Sequence, residues 1–216
     1  MQTEAIIRLL LDAGADANVQ SNTGHTLIKA AGQKSGSIVQ LLLEAGSAVN
    51  KQTKNGFTAL ITAVQKGAEK IVQLLLNVGA NVDLQNYEGF TALMVAVQKE
   101  AGSIVQLLLD AGANVNLENK EGFTALMQAV QLESETFVQL LLGEGADVNF
   151  PTKYGVSALM VAARNVSSIN IFRMLLAAGA NPLAVDQTGD TPLSTALEYN
   201  SVEVVQLILS AGAKLV

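Results

Sequence analysis

A period of 33 residues governs this chain. The stretch Asn86–Glu118, NYEGFTALMVAVQKEAGSIVQLLLDAGANVNLE, meets itself when slid by 33 residues in either direction. Gly89 recurs as Gly24, Gly56, Gly122, Gly155 and Gly189, in steps of 32, 33, 33, 33 and 34. Gly112 recurs as Gly14, Gly46, Gly79, Gly145, Gly179 and Gly212. A unit this short cannot bury a hydrophobic face by itself. Repetition at this length therefore implies a stack in which each unit covers its neighbours.

Each unit reads as turn, short helix, turn, second helix, loop. Gly89 sits in a tight turn, where a positive φ is open to glycine. Thr91 is placed to cap the first helix, and Thr26, Thr58, Thr124, Ser157 and Thr191 are its equivalents. Pro192 follows Thr191 at the position where proline suits a helix start. Leu93, Ala96 and Val97 fall at helical spacing. Ala96 recurs as Ala30, Ala63, Ala129, Ala162 and Ala196, small enough for the second helix to lie close. The second helix carries Ile104, Val105, Leu107, Leu108 and Leu109, apolar around more than half its girth. That width suits a helix held between neighbouring units. Gly112 ends it, as the left-handed residue after the last turn.

The segments Gly89-Phe90-Thr91-Ala92-Leu93, Val105–Leu109 and Ala111-Gly112-Ala113-Asn114-Val115-Asn116 together resemble the ankyrin repeat. The resemblance covers nearly the whole chain. It departs from the family signature in two ways: only Thr191-Pro192-Leu193 keeps the proline, and no repeat keeps the histidine. It implies an all-α repeat solenoid of stacked helix–turn–helix units with hairpin-like turns. The expected organisation is a single array over 1–216. Residues 1–20 form a partial repeat lacking its first helix, and full repeats follow at 21–52, 53–85, 86–118, 119–151, 152–185 and 186–216. Repeat one is one residue short, because Thr26 runs directly into Leu27. Repeat five has one extra residue around 165–168. These irregular lengths fit a natural array cut from a longer one.

Composition excludes several function classes. A net charge of −6 opposes non-specific nucleic-acid binding, which runs on basic surface. No apolar run approaches the roughly 18 residues of a membrane span. Cysteine is absent, which removes disulfides and thiolate metal sites. His25 is the single histidine and follows a turn glycine, where it is expected as an exposed turn residue. Neither a histidine metal site nor a Cys/His pair can be built, so no catalytic residue, metal or cofactor is expected. Asp186 and Asp190 flank a turn, which aspartate favours. The glycines occur singly at the repeat period and make no phosphate-binding loop.

What remains is a surface. The resemblance implies that partners dock on a concave face made of turn tips and the exposed side of each first helix. The residues expected to bind are Phe57, Lys66, Tyr87, Phe90, Lys99, Phe123, Leu132, Tyr154, Arg164 and Tyr199. Six of the chain's nine aromatics lie among them, and interface centres are rich in aromatics. Copying of one ancestral repeat accounts for Phe57, Phe90 and Phe123, which would then pack along neighbouring turns. It does not account for Tyr87, Tyr154 and Tyr199, which sit at three different repeat positions. Two glutamine rows, Gln65, Gln98, Gln131 and Gln40, Gln73, Gln106, Gln139, Gln206, read as solvated positions, with amide stacking between repeats as the alternative.

The expected function is a non-catalytic scaffold that binds another protein. The alternative is a regulatory or targeting segment of a larger enzyme or secreted effector whose catalytic part lies elsewhere. The family default for location is the cytoplasm. Both ends look like open faces of a longer stack. The first helix carries Ile6, Ile7, Leu9, Leu10 and Leu11, and the last carries Val204, Val205, Leu207, Ile208 and Leu209 without added charge. Weak end-to-end self-association is expected from them.

Overall fold

The structure is a computed structural model and describes residues 2–21, 24–164, 169–199 and 201–212. The extra residue of repeat five therefore lies outside the described residues. The chain forms two compact units, Met1–Ala113 and Asn114–Val216.

The first unit contains α1 (Gln2–Asp12), the two-residue strands β1 (Gln20–Ser21) and β2 (Gly24–His25), α2 (Thr26–Gly32), α3 (Gly36–Glu44), α4 (Ala59–Gln65), α5 (Glu69–Asn77), α6 (Ala92–Gln98) and α7 (Gly102–Asp110). The strands pair antiparallel, Gln20 with His25 and Ser21 with Gly24. The short first helices pack in the order α2, α4, α6, and the second helices in the order α1, α3, α5, α7. The second unit repeats the scheme. Its first helices are α8 (Ala125–Gln131), α10 (Ala158–Arg164) and α12 (Pro192–Glu198). Its second helices are α9 (Glu135–Gly143), α11 (Ile169–Ala177) and α13 (Val202–Ser210). Within each unit this is the stacked all-helical architecture that the repeat requires.

The core lies where the two layers meet. The alanine row is sealed, with Ala63, Ala96, Ala129 and Ala196 at 0% exposure, and Val72, Val105, Val138 and Phe172 of the second helices match it. Threonine caps hold the helix starts. Thr58, Thr91 and Thr124 accept from the backbone N–H of Ile61, Met94 and Met127 at 3.0, 3.2 and 3.4 Å. Ser157 does the same for Met160 at 3.3 Å. Thr191 and Ser194 cap each other reciprocally, with Pro192 in the first turn.

Repeat one differs. Its missing residue draws Thr26 into the first turn of α2, so the cap position falls to His25, which makes no side-chain cap. Thr26 instead donates through Oγ1 to the Val19 carbonyl at 3.1 Å. His25 is half-buried, against the expectation of an exposed turn residue, and its Nδ1 lies inside without a hydrogen-bond partner among the described residues.

Second helices end as expected. Gly112 has φ 81°, its N–H donates to the Leu109 carbonyl, and Ala113 N–H reaches back to Leu108 at 3.0 Å. First helices end in the same way on a residue that the sequence does not flag. Lys34, Gly67, Glu100 and Glu133 occupy this row, all at positive φ and three of them with side chains.

Candidate functional site

The turn tips are built from one polar residue per repeat. Thr53, Asn86, Asn119, Thr152 and Asp186 each close a five-residue loop around the turn glycine. In repeat three Asn86 N–H donates to the Phe90 carbonyl at 3.0 Å, and Asn86 Oδ1 accepts from Glu88 N and Phe90 N, both at 2.9 Å. Asp186 plays this part in repeat six, accepting at Oδ1 from Thr188 N, Thr188 Oγ1 and Asp190 N. The Thr188 hydroxyl and the turn amides hold the Asp186 carboxyl below the usual carboxylate range, with a smaller contribution from Arg164. Asp186 and Asp190 are thus turn residues.

Successive tips bond to each other within each unit. Tyr87 N–H donates to the Asn55 carbonyl at 3.0 Å in the first unit, and Gln187 N–H to the Tyr154 carbonyl at 2.9 Å in the second. This closeness gives the turn glycine a second duty. A Cβ at Gly56 would sit 2.8 Å from Asn86 Cα, and one at Gly122 would sit 2.7 Å from Thr152 Cα.

On this framework the expected binding residues fall into two groups. In the first unit Tyr87 is 60% exposed, Lys66 and Lys99 are exposed, and Phe57 and Phe90 are half-buried. In the second unit Tyr154 is 54% exposed, Tyr199 44%, Leu132 38%, Arg164 is exposed, and Phe123 is half-buried. The phenylalanines are less exposed than the tyrosines. The three tyrosines stand in solvent.

Lys153 pairs with Glu121, and its ammonium also lies 4.9 Å from the centre of the Tyr154 ring. The hydrogen bond to Glu121 is the main reason the Lys153 ammonium holds its proton above the usual lysine range. In the second unit Phe123, Tyr154 and Arg164 share a cavity of about 260 Å³. Among the described residues no cluster of His, Asp and Glu could hold a metal ion, and no helix is long and apolar enough to cross a membrane.

The amide rows are exposed, as the leading sequence reading has them. Gln65, Gln98 and Gln131 are exposed, and Gln40, Gln73 and Gln106 bond to Glu44, Asn77 and Asp110 one turn along their own helices. Asparagines in the loops after the second helices tie repeat to repeat. Asn50 Oδ1 accepts from Asn81 N at 2.8 Å in the first unit. In the second, Asn116 Oδ1 accepts from Asp147 N at 2.7 Å and Asn149 Oδ1 from Asn181 N at 2.8 Å. Asn116 and Asn149 also donate to the carbonyls of Gly145 and Gly179 at 3.2 and 3.0 Å.

Comparison with known proteins adds the following. The family model described as ankyrin repeats in three copies matches residues 2–86, 27–119, 68–152, 93–186 and 126–216. The crystal structure of the ankyrin repeat domain of Bcl-3, a member of the IkappaB protein family, is 32% identical with a TM-score of 0.83. That match covers 96% of this chain and 91% of the other. An ankyrin repeat domain from Acinetobacter baumannii AYE is 29% identical with a TM-score of 0.81, covering 87% of this chain and 98% of the other. These are two among 630 solved chains that match, so the similarity identifies the architecture without selecting a partner. No curated protein matches the sequence.

Proposed function

The chain belongs to the ankyrin-repeat family, whose domains generally bind proteins and are typically non-catalytic, and from that premise we propose that it is a protein-binding scaffold without an activity of its own. The partner docks on the turn tips and the exposed side of the first helices. One observation carries this reading. Tyr87 of the first unit is 60% exposed, and Tyr154 and Tyr199 of the second are 54% and 44% exposed, at three different positions of the repeat. A large aromatic held mostly in solvent contributes little to the fold, whereas at an interface it can contribute much of the binding free energy.

The test is comparative affinity capture with wild type and with Tyr87→Ala, Tyr154→Ala and Tyr199→Ala combined. These side chains are exposed, so the unfolding midpoint is expected to hold. A protein retained by wild type and lost from the triple variant supports the reading. Equal capture by both sinks it.

Copies of the chain are also proposed to associate weakly end to end. In the second unit Leu197 is 50% exposed, while its equivalents Val130 and Ala163 are at 1% and 0%. In the first unit Ile6 and Leu10 are 52% and 54% exposed, while Ile38 and Leu42 at the same positions are at 9% and 1%. Val204 and Ile208, expected on the open face of the last helix, are buried. The exposed apolar surface there comes from Leu197, Val202 and Leu209 instead.

A further inference from the structure

Among the positions at which repeat five departs from repeats two to four, three line one cavity. After the turn glycine, repeats two to four carry Phe57, Phe90 and Phe123, and repeat five carries Val156. Before that glycine they carry Asn55, Glu88 and Glu121, and repeat five carries Tyr154. At the end of the first helix they carry Gln65, Gln98 and Gln131, and repeat five carries Arg164. Tyr154, Val156 and Arg164 all line the cavity of about 260 Å³ in the second unit. A valine in place of a phenylalanine removes most of a ring's volume from that spot. Copying an ancestral repeat explains what repeats share, and leaves these three departures at one hollow to be accounted for.

The lining specifies an occupant. Phe123, Val156 and Val161 make an apolar wall, with Gln131 and Arg164 beside it. The Thr152 hydroxyl oxygen already accepts from Tyr154 N and Val156 N at 3.3 and 3.1 Å. The volume falls below the roughly 300–1,000 Å³ of small-molecule sites and suits a single side chain. Arg164 is exposed and provides the charge. Asp186, the nearby carboxylate that feels it, already accepts three hydrogen bonds within its own turn. The other cation of the region, Lys153, is engaged by Glu121 and the Tyr154 ring.

We infer that this hollow anchors one apolar side chain of an extended peptide segment of a partner protein, with a carboxylate one or two residues away pairing with Arg164. The inference rests on the reading that partners dock on the turn-and-first-helix face, and it adds which repeat anchors the partner and by what chemistry.

The probe is a displayed library of random peptides about twelve residues long, selected on the full chain, with affinities then measured by fluorescence anisotropy. The variants are Val156→Phe and Arg164→Gln. Each restores the residue that repeats two to four carry, so the fold is expected to hold, and an unchanged unfolding midpoint checks it. Selected peptides are expected to share an apolar residue with Asp or Glu within two positions. Filling the hollow with Val156→Phe should weaken them by about tenfold or more. Arg164→Gln should weaken them by about tenfold while leaving the Asp→Asn form of the same peptide unaffected. Selected peptides without an acidic residue, or no enrichment over the bare support, would overturn the inference. Peptides lost on Tyr87→Ala plus Tyr199→Ala, yet indifferent to both repeat-five variants, would overturn it and leave the face reading standing. Indifference to all four changes would sink both.

Discussion

Gly112 and Gly122 share one backbone conformation, with φ of 81° each, and answer to different constraints. Gly112 ends a second helix, and a Cβ there would meet nothing within 4 Å. Its replacement by alanine is opposed only by the left-handed conformation, about 1–2 kcal/mol. Gly122 has the same conformational demand, and the backbone of the next turn tip stands 2.7 Å from where its Cβ would lie. Gly122→Ala is therefore expected to lower stability clearly more than Gly112→Ala, measured as paired denaturant midpoints. Equal losses would show that tip-to-tip spacing is not what the turn glycine protects. The sequence made the left-handed conformation legible at both sites through the glycine period. The close approach was not legible, because the opposing atoms belong to the following repeat. Lys34, Glu100 and Glu133 were hidden for a related reason: their left-handed row holds a glycine only at Gly67.

Among elements, the loops after the second helices carry bonds between repeats, while the glutamine rows are solvated, as their sequence reading favours. An amide row on a helix attracts attention because its period is visible, yet Gln40, Gln73 and Gln106 find partners one turn away on their own helices. Asn149 instead joins two loops, accepting from Asn181 N and donating to the Gly179 carbonyl at 2.8 and 3.0 Å. Its bonds run 30 and 32 residues ahead, beyond any local pattern. Asn149→Ala is expected to destabilise the chain by about 1–2 kcal/mol, since two inter-repeat hydrogen bonds are lost. Gln139→Ala, on an exposed helix position, should stay within about 0.5 kcal/mol. Thermal melts of the two variants against wild type decide it, and a Gln139 effect as large as that of Asn149 would restore the helix row as the link. Element types were legible throughout, because glycine and threonine recur at fixed offsets. The exception was the start of α2, where a one-residue deletion moved Thr26 out of the cap and His25 into it.

For the whole molecule, the departures from the repeat are more informative than the repeat. The shared residues explain stacking, and the recurring phenylalanines Phe57, Phe90 and Phe123 are half-buried. The sequence left binding and packing both open for them, because a repeating phenylalanine fits either and only its surroundings in the fold set its burial. The tyrosines, at irregular positions, are the exposed aromatics of the proposed site. The exposed apolar residues at the two extremes give a separate expectation. Wild type should rise in apparent mass with loading on a size-exclusion column with light scattering, and Leu10→Glu plus Leu197→Glu should abolish the rise. A wild type of constant mass across the range would remove self-association from the account. The central claim is that partners dock on the turn-and-first-helix face, and site-specific photocrosslinking in the native cell tests it most directly. A photoreactive phenylalanine analogue placed at Tyr154 is compared with one at Gln139, an exposed position on a second helix. The account predicts a discrete crosslinked partner from position 154 and none from position 139. A partner captured from 139 and absent from 154 would contradict it.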